Sequence, residues 1–478
     1  MNVRFFIITG FCLLGIKGFS QDSNWTLEVC VQYAREHNIS IKKAELDEKL
    51  AVVDKTGAKG AFMPTVNASG SHSWTIGLNQ NITTGLLQNQ TTQFTSAGLD
   101  VGLDIFKGGQ NLNRLRRADL AVLAARYQSE KITDDISLNV VNAYLQVIFN
   151  KEYLKVNKAQ LVYDVQQEER IQALVDAGSV PAGDLLDIQA TVATTNQNVI
   201  LADNNLKIAK LNLAQILQIE DYNNFDVADE TFDTANSMLL LENPQTFIDN
   251  SKDVLLDYKI LETQVDLAEK DIAIAKAAYY PTIRGFYSFA TRAAYAQVVK
   301  GYELNAAEPT KEIGFVEGTN QKVVTPNFTS IWGSPESLWN QFDMNKGHNF
   351  GIGLSIPVFN GFTTRNNVQK SKIAYETAKL NLEESTLQLE QKVFTAYTDT
   401  KGALETHEAA KKAFRARQQS LEYARQRYEV GLINIFDLNQ NQNLFIAAQS
   451  EVLRTKYDYI FKTKILEYYF GLPIFKAE

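Results

Sequence analysis

Four stretches of the chain alternate apolar and polar positions with period two. In the first, Val66, Ala68, Gly70, His72, Trp74 and Ile76 share one face, opposite Thr65, Asn67, Ser69, Ser71, Ser73 and Thr75. The second sets Leu99, Val101, Leu103 and Ile105 against Gly98, Asp100, Gly102 and Asp104. The third sets Ile283, Gly285, Tyr287 and Phe289 against Thr282, Arg284 and Ser288, with Phe286 out of pattern. The fourth sets Phe350, Ile352, Leu354, Ile356 and Val358 against Asn349, Gly351, Gly353 and Ser355. Segments of about ten residues with one apolar face fit transmembrane β-strands. A soluble sandwich would alternate in the same way, so the neighbours of the strands have to decide. The second and fourth strands run into helical stretches at 110–176 and 362–429. At 1.5 Å per residue each stretch is about 100 Å long, too long to pack inside a compact domain. Leu382, Thr386, Leu389, Val393, Ala396, Thr400 and Ala403 recur at alternating spacings of four and three, the seam of a coiled coil.

The same pattern occurs twice. "AKGAFMPTV" at Ala58 to Val66 falls on "AKAAYYPTI" at Ala275 to Ile283, an offset of 217. Leu99 with Ile352, Phe106 with Phe359, Ala143-Tyr144 with Ala396-Tyr397, Gly178 with Gly431 and Asp184 with Asp437 share an offset of 253. The second half therefore carries about 36 extra residues between Pro281 and Phe359. The segment 294–347, with Gly, Asn, Pro, Ser, Trp332 and Trp339 and no clear period, reads as a long loop. Pro64 and Pro281 end a helix and open a strand, since proline lacks an N–H and its ring clashes with the preceding turn. Gly178 and Gly431 end the long helices in the left-handed conformation, and new helices start near Pro181 and Ile435.

Composition narrows the setting. Residues 1–20 combine Arg4, an apolar run from Phe5 to Ile16 and Gly18-Phe19-Ser20, the pattern of a secretory signal peptide. The run is shorter than the roughly 20 residues of a spanning helix. Phe11 before Cys12 is too bulky for lipid attachment there. Removal of Arg4 and Lys17 takes the formal charge from −8 to −10, so the exported chain is acidic and lacks a basic stripe for nucleic acid. Only Cys30 then remains, and it cannot form an intrachain disulfide. His37, His72, His348 and His407 lack metal-ligand spacing, and no nucleophile, zinc-protease or phosphate-loop motif is present. The reading is of a protein with no catalytic residues, no metal and no cofactor.

Four strands cannot close a barrel, and unpaired backbone in lipid costs several kcal/mol per group. Two copies would give eight strands and a nearly filled interior, whereas three give twelve and an open lumen. The doubled Ala-Lys-x-Ala-aromatic-x-Pro, the strand ends "LDIFKGGQ" and "LSIPVFNGF", and the tips "AGSVPAGDLLDIQA" and "VGLINIFDLNQ" are, in their order and duplication, similar to those of the TolC-like outer-membrane efflux proteins. The chain resembles that family over essentially its whole mature length. The resemblance implies an α+β membrane protein with an internal two-fold repeat. Its four strands would join a homotrimeric twelve-stranded β-barrel in outer-membrane lipid, continued by a long α-helical coiled-coil barrel across the periplasm. It also implies a periplasmic adaptor and an inner-membrane transporter of the resistance-nodulation-division (RND) or ABC type.

The expected organisation is a signal peptide at 1–20, periplasmic helices at 21–61, a strand pair at 62–106, a helical hairpin at 107–218 and an equatorial region at 219–252. The second half follows with a helix at 253–279, a strand pair at 280–359 whose loop at about 294–347 is extracellular, a hairpin at 360–470 and a tail at 471–478. By the resemblance, Asp437 stands at the first aspartate of the periplasmic aperture and Asp184 at the equivalent place in the first half. Gln440 replaces a second acidic position. Tyr428 matches a tyrosine of the closed state, while its arginine partner is replaced by Ile433. Acidic residues also suit the first turn of a helix through its dipole, which stabilises them by roughly 0.3 to 1 kcal/mol. Gly178, Ser179, Val180, Pro181, Gly431, Leu432 and Ile433 form the tips that would meet the adaptor, or else only cap their own hairpins. Phe62, Phe106, Tyr279, Tyr280 and Phe359 fall at the helix–strand boundary, where an aromatic girdle or ordinary packing would place them. Cell fractionation checks the class: the protein should be recovered with the outer membrane, whereas recovery as a soluble periplasmic monomer would indicate a structural coiled-coil protein.

Overall fold

A computed structural model describes residues 25–80, 85–222, 224–230 and 255–472, with the side chains of residues 88 and 90 left out. The signal segment, most of the equatorial region and most of the C-terminal tail lie outside the described residues. Helix α1 spans Leu27–His37 and α2 Ile39–Gly60, followed by strands β1, Thr65–Gln80, and β2, Leu87–Lys107. Helices α3, Gln110–Asp176, and α4, Ala182–Leu217, complete the first half. The second half has α5, Leu256–Ala277, strand β3, Thr282–Ala294, strand β8, Gly347–Ser355, and helices α7, Thr363–Glu429, and α8, Ile435–Tyr469.

The duplication is exact in length where it matters mechanically. Helices α2 and α5 have 22 residues each and begin and end 217 positions apart. Helices α3 and α7 have 67 residues each and begin and end 253 positions apart. The bends between strand and helix match too. Gly108 and Gly361 have φ of +61° and +60°, and the following pair, Gly109 and Phe362, have +77° and +62°. The first half meets this left-handed step with glycine; the second imposes it on a phenylalanine, a conformation that L residues rarely adopt.

The chain divides into two compact units. The first comprises residues 1–48, 124–262 and 381–478 and is helical where described. Its main core joins Leu27, Cys30 and Val31 of α1 to Val140, Tyr144 and Val147 of α3, Leu213 and Leu217 of α4, and Tyr457 and Ile460 of α8. Phe225 and Val227 enter the same core, and the Tyr144 hydroxyl donates to Glu230 Oε2 at 2.9 Å, which binds this segment to α3. Burial pushes the Cys30 thiol up to about 12, so it stays a neutral, inert core side chain. On α7 the heptad seam runs beyond Ala403: Leu389, Val393, Thr400, Ala403, His407, Ala410, Leu421 and Ala424 are all buried. Thr400 donates to the carbonyls of Ala396 at 2.7 Å and Lys462 at 3.1 Å, which satisfies a hydroxyl at an otherwise apolar position. His407 pairs with Thr455 at 3.1 Å, and burial together with Lys411 holds its pKa below the ordinary value.

The second unit comprises residues 49–123 and 263–380. Its main sheet has the antiparallel order β1-β2-β3-β8, so the two halves meet at β2 and β3. The apolar face has no core over it: Val66, Trp74, Phe350 and Ile352 are 60, 60, 77 and 73% exposed. That exposure excludes a sandwich, which would bury the face. Phe286, the exception on the polar face, lies between Gly102 and Gly351 on the flanking strands, and a Cβ at Gly351 would meet its ring at 3.0 Å. Glycine therefore makes room for Phe286.

The segment 294–347, read as a loop, is largely structured. Strands β4, Val298–Leu304, and β7, Phe328–Gly333, pair with each other, as do β5, Thr310–Phe315, and β6, Lys322–Pro326. Helix α6, Leu338–Met344, follows, and Thr291 of β3 donates to the carbonyl of Phe342 at 2.8 Å. Short strands interrupted by bulges at Val299/Gly301 and Glu312/Gly314 blur the alternation that would have betrayed them.

A Cβ at Gly108 would collide with the carbonyl oxygen of Ala277 and approach Tyr280 Cβ to 2.9 Å, in a conformation unfavourable to L residues. Gly108→Ala should therefore cost about 1–3 kcal/mol through backbone strain plus the clash, read as a lower thermal unfolding midpoint, whereas Gly57→Ala on helix α2, with open space at its Cβ, should not lower it.

Candidate functional site: the hairpin tips and the network above them

The two tips are built alike. At the first, Gly178 has φ +70°, its N–H donates to the Val175 carbonyl at 2.9 Å, and that of Ser179 to Leu174 at 2.8 Å. At the second, Gly431 has φ +74°, its N–H donates to Tyr428 at 3.0 Å, and that of Leu432 to Arg427 at 2.8 Å. Both are Schellman endings, in which a left-handed residue lets the last carbonyls find donors. The returning helices start differently. Pro181 caps α4 without a side-chain hydrogen bond, whereas Asn434 Oδ1 accepts from the Asp437 N–H at 2.8 Å. Asp437 and Asp184 both stand in a first helical turn, half-buried. Asparagine capping thus fixes the backbone of Asp437, while Asp184 relies on its N–H to the Pro181 carbonyl at 3.1 Å.

One small core joins the hairpins. Ile171, Ile188, Leu421, Ala424, Ile435 and Leu438 are buried together, with Val175, Val180, Leu185, Tyr428, Ile433 and Phe445 packed against them. Tyr428 is half-buried near Arg170 and Asp184; burial raises its pKa and Asp184 adds to the rise, so the hydroxyl stays protonated at neutral pH. Two readings of the tips need correction. Val180 and Ile433, expected among the residues that meet an adaptor, are partly buried and pack against this core. The surface that remains apolar is instead Leu432 with Val430, Phe436 and Leu186, the last three not singled out from sequence. Gly178, Ser179, Pro181, Gly431 and Gln440 are exposed. Leu186 and Phe436 were discoverable as apolar residues off the seam phase near the start of a returning helix.

Above the tips a polar chain runs through the interior. Asp164 accepts from Gln160 at 2.5 Å and from Thr195 at 2.6 Å. Gln160 Oε1 accepts from Gln442 Nε2 at 2.7 Å, and Gln442 Oε1 from Arg425 Nη2 at 3.3 Å. Asp164 is only 3% exposed. Arg425 also lies over the Tyr163 ring at 5.1 Å. The network connects α3 and α4 of the first hairpin to α7 and α8 of the second through directional bonds, where apolar packing alone would allow sliding. Burial raises the Asp164 pKa, while the Thr195 and Gln160 donors act against that rise. The sequence signal was a carboxylate at heptad spacing: Leu154, Asn157, Asp164 and Ile171 are buried on one stripe of α3.

In the second unit, Phe62, Phe106, Tyr279, Tyr280 and Phe359 are all exposed, at 45 to 76%. Pro64 and Pro281 each sit one residue before a strand, after helical turns closed by Met63 N–H to Gly60 at 2.9 Å and Tyr280 N–H to Ala277 at 3.1 Å. Within this chain none of these aromatics is packed in a core. Ten residues further along β1, His72 and Trp74 stack edge to face at 4.3 Å, with Tyr295 at 5.7 Å from His72. The interval from Thr65 to Trp74 equals a membrane-spanning strand of about 9–11 residues.

Asp164→Leu should cost about 1–3 kcal/mol by leaving Gln160 and Thr195 without an acceptor. Asp164→Asn keeps two partners, since the Thr195 hydroxyl can turn to accept. Because the folded pKa is raised above 3.8, the native carboxyl contributes stability below the unfolded pKa and loses it as pH rises through the folded value. The unfolding midpoint of Asp164→Asn should therefore gain on the native protein from mildly acidic to neutral pH; a gap independent of pH would refute the account.

Comparisons with known proteins agree with this geometry. The model of the family described as "Outer membrane efflux protein" matches residues 30–217 and 257–466. Outer membrane protein TolC of Escherichia coli (strain K12) is 22% identical over 468 residues, covering 95% of this chain and 83% of that protein. Toxin and drug export protein A of Aggregatibacter actinomycetemcomitans is 23% identical over 450 residues, covering 90% and 82%. Among solved structures, the outer membrane protein VceC of Vibrio cholerae aligns with a TM-score of 0.73 at 15% identity, covering 94% of this chain and 97% of that one. CusC, whose structures concern transmembrane channel formation, aligns with a TM-score of 0.74 at 16% identity, covering 94% and 92%. The two matched segments fall one on each half of the duplication, and the chain belongs to the outer membrane efflux protein family, whose members are transport channels and not enzymes.

Proposed function

We propose that this chain is the outer-membrane exit duct of a tripartite export system, working as a homotrimer that passes small molecules from an inner-membrane RND pump and a periplasmic adaptor to the exterior. The observation that carries the reading is the four-stranded sheet whose apolar face is exposed and whose outer strands, β1 and β8, have no neighbour on one side among the described residues. Such a sheet is stable in lipid only if other copies pair with its edges. Three copies give the twelve strands of an open barrel. The polar face, with Asp100, Arg284 and Ser288, then lines the lumen, and outer-membrane lipid covers Val66, Phe350 and Ile352. The tips of the helical unit form the periplasmic gate. Three copies of Asp437 facing one axis would repel anions and attract cations, and Gln440 leaves them as a single ring. The Leu432, Val430 and Phe436 surface is offered to the adaptor, which buries it.

Reconstitution tests the duct and the gate together. The purified protein should have the mass of three chains and give small, cation-preferring currents in planar bilayers. Asp437→Ala should raise the conductance and weaken the cation preference, while Asp184→Ala should do less. A protein that stays monomeric, or one whose large currents ignore every tip substitution, would overturn the respective half of the proposal.

A further inference from the structure

The polar face of the main sheet carries an open hollow of about 560 Å³, within the size range of small-molecule sites. Its floor is made of short side chains. Ser69 of β1 opposes Gly98 of β2, which opposes Ala290 of β3, and Ser96 and Ser288 follow two residues away at opposite ends. Each end of the floor carries a charge. Asp100 opposes Ser288 and Arg292 opposes Ser96, four residues apart along the strands, or about 13 Å at 3.3 Å per residue. Both side chains are exposed, and among the described residues neither has a hydrogen bond or an ion pair. The neighbouring charges are already placed: the Arg284 guanidinium lies over Gly102, Asp104 holds Lys107 at 3.2 Å, and Lys346 is bonded to Asp343.

The wall beside Arg292 is fixed to the sheet. Strand β8 reaches only to Gly347, opposite Ala290, so β3 runs on without it. The end of α6 takes that place. Gln341 Oε1 accepts from the Ala294 N–H at 2.9 Å and its Nε2 donates to the Ala294 carbonyl at 3.0 Å, a side-chain copy of a strand pair. Asn345 Nδ2 donates to the Arg292 carbonyl at 2.7 Å. These directional bonds hold Met344, Asn345 and Lys346 as one side of the hollow.

We propose that the hollow is a transient binding site for zwitterionic small molecules, with the ligand's carboxylate at Arg292 and its ammonium at Asp100. The proposal deepens the duct reading and rests on it, since the polar face is a passage wall only if the sheet closes into a barrel. Charge complementarity selects the class. An anion would leave Asp100 unmatched and a cation would leave Arg292 unmatched, whereas an extended molecule with opposite charges at its two ends meets both. Exposed ion pairs are weak, so such a ligand is selected and still leaves freely, as conduction requires.

Triglycine, roughly 10 Å long when extended, is a suitable probe, and saturation-transfer NMR on the full-length protein in detergent reads binding without requiring conduction. Triglycine should bind, and Asp100→Asn and Arg292→Gln should each weaken it about five-fold, the most that an exposed ion pair supplies. Its two ends are assigned separately. N-acetyl-triglycine, which has no ammonium, should lose affinity through Arg292→Gln and be indifferent to Asp100→Asn, and triglycine methyl ester should do the reverse. Triglycine that fails to bind, or binding that neither substitution weakens, would overturn the site; if the protein still carries current in planar bilayers, the duct stands. Binding in the expected pattern by a protein that carries no current would keep the hollow as a zwitterion site and overturn the duct around it.

Discussion

The outer sides of β1 and β8, unpaired among the described residues, are the constraint from which the rest of the molecule follows. An N–H or C=O left without a partner in hydrocarbon costs several kcal/mol, and a row of them along each edge exceeds the net stability of an ordinary domain. The sheet therefore cannot be a finished object. Its uncovered apolar face, its small or polar opposite face, and the glycines that admit Phe286 and Arg284 make sense as one sector of a closed wall. The aromatics at the two proline joins mark where that wall begins.

The helical unit answers a different demand. A coiled-coil seam of leucine would hold the hairpins tightly, yet α7 places Thr400, Ala403, His407 and Ala410 in its seam. Small and polar residues bring helices close and reduce apolar burial, which leaves directional bonds to specify the register. Thr400 to Lys462, His407 to Thr455, and the chain from Thr195 through Asp164 and Gln160 to Gln442 and Arg425 supply them.

Much of this was legible in the sequence because it depends on period and spacing. The two offsets, the alternation in β1, β2, β3 and β8, the proline joins and the tip glycines are one-dimensional signals, and the structure places elements at those positions. What escaped was whatever depends on neighbours distant along the chain. Asp164 bonds to Gln160 one turn away and to Thr195 on α4, and the chain of bonds goes on to α8 and α7, so only its seam position hinted at burial. Val180 and Ile433 look exposed when a tip is drawn as an isolated turn, and only the second hairpin shows that they are covered. The strands of the segment 294–347 are five to seven residues long and bulged, too short and irregular for a period to emerge.

The equal lengths of α3 and α7 have a consequence for how such a chain can change over time. One residue added to either helix would advance its tip by about 1.5 Å and swing it by about 100° relative to the other. The Gly178 and Gly431 turns would then no longer arrive at one level in one orientation, and the core they share would be lost. A length difference is thus tolerated at the strand ends, where the second half carries the extra segment 294–347, while residues inside the helices differ between the repeats, Asp164 in the first corresponding to Arg417 in the second. The two helices behave as a pair of rulers cut to the same mark, with length kept as a heritable quantity long after the residues that once spelled it have diverged.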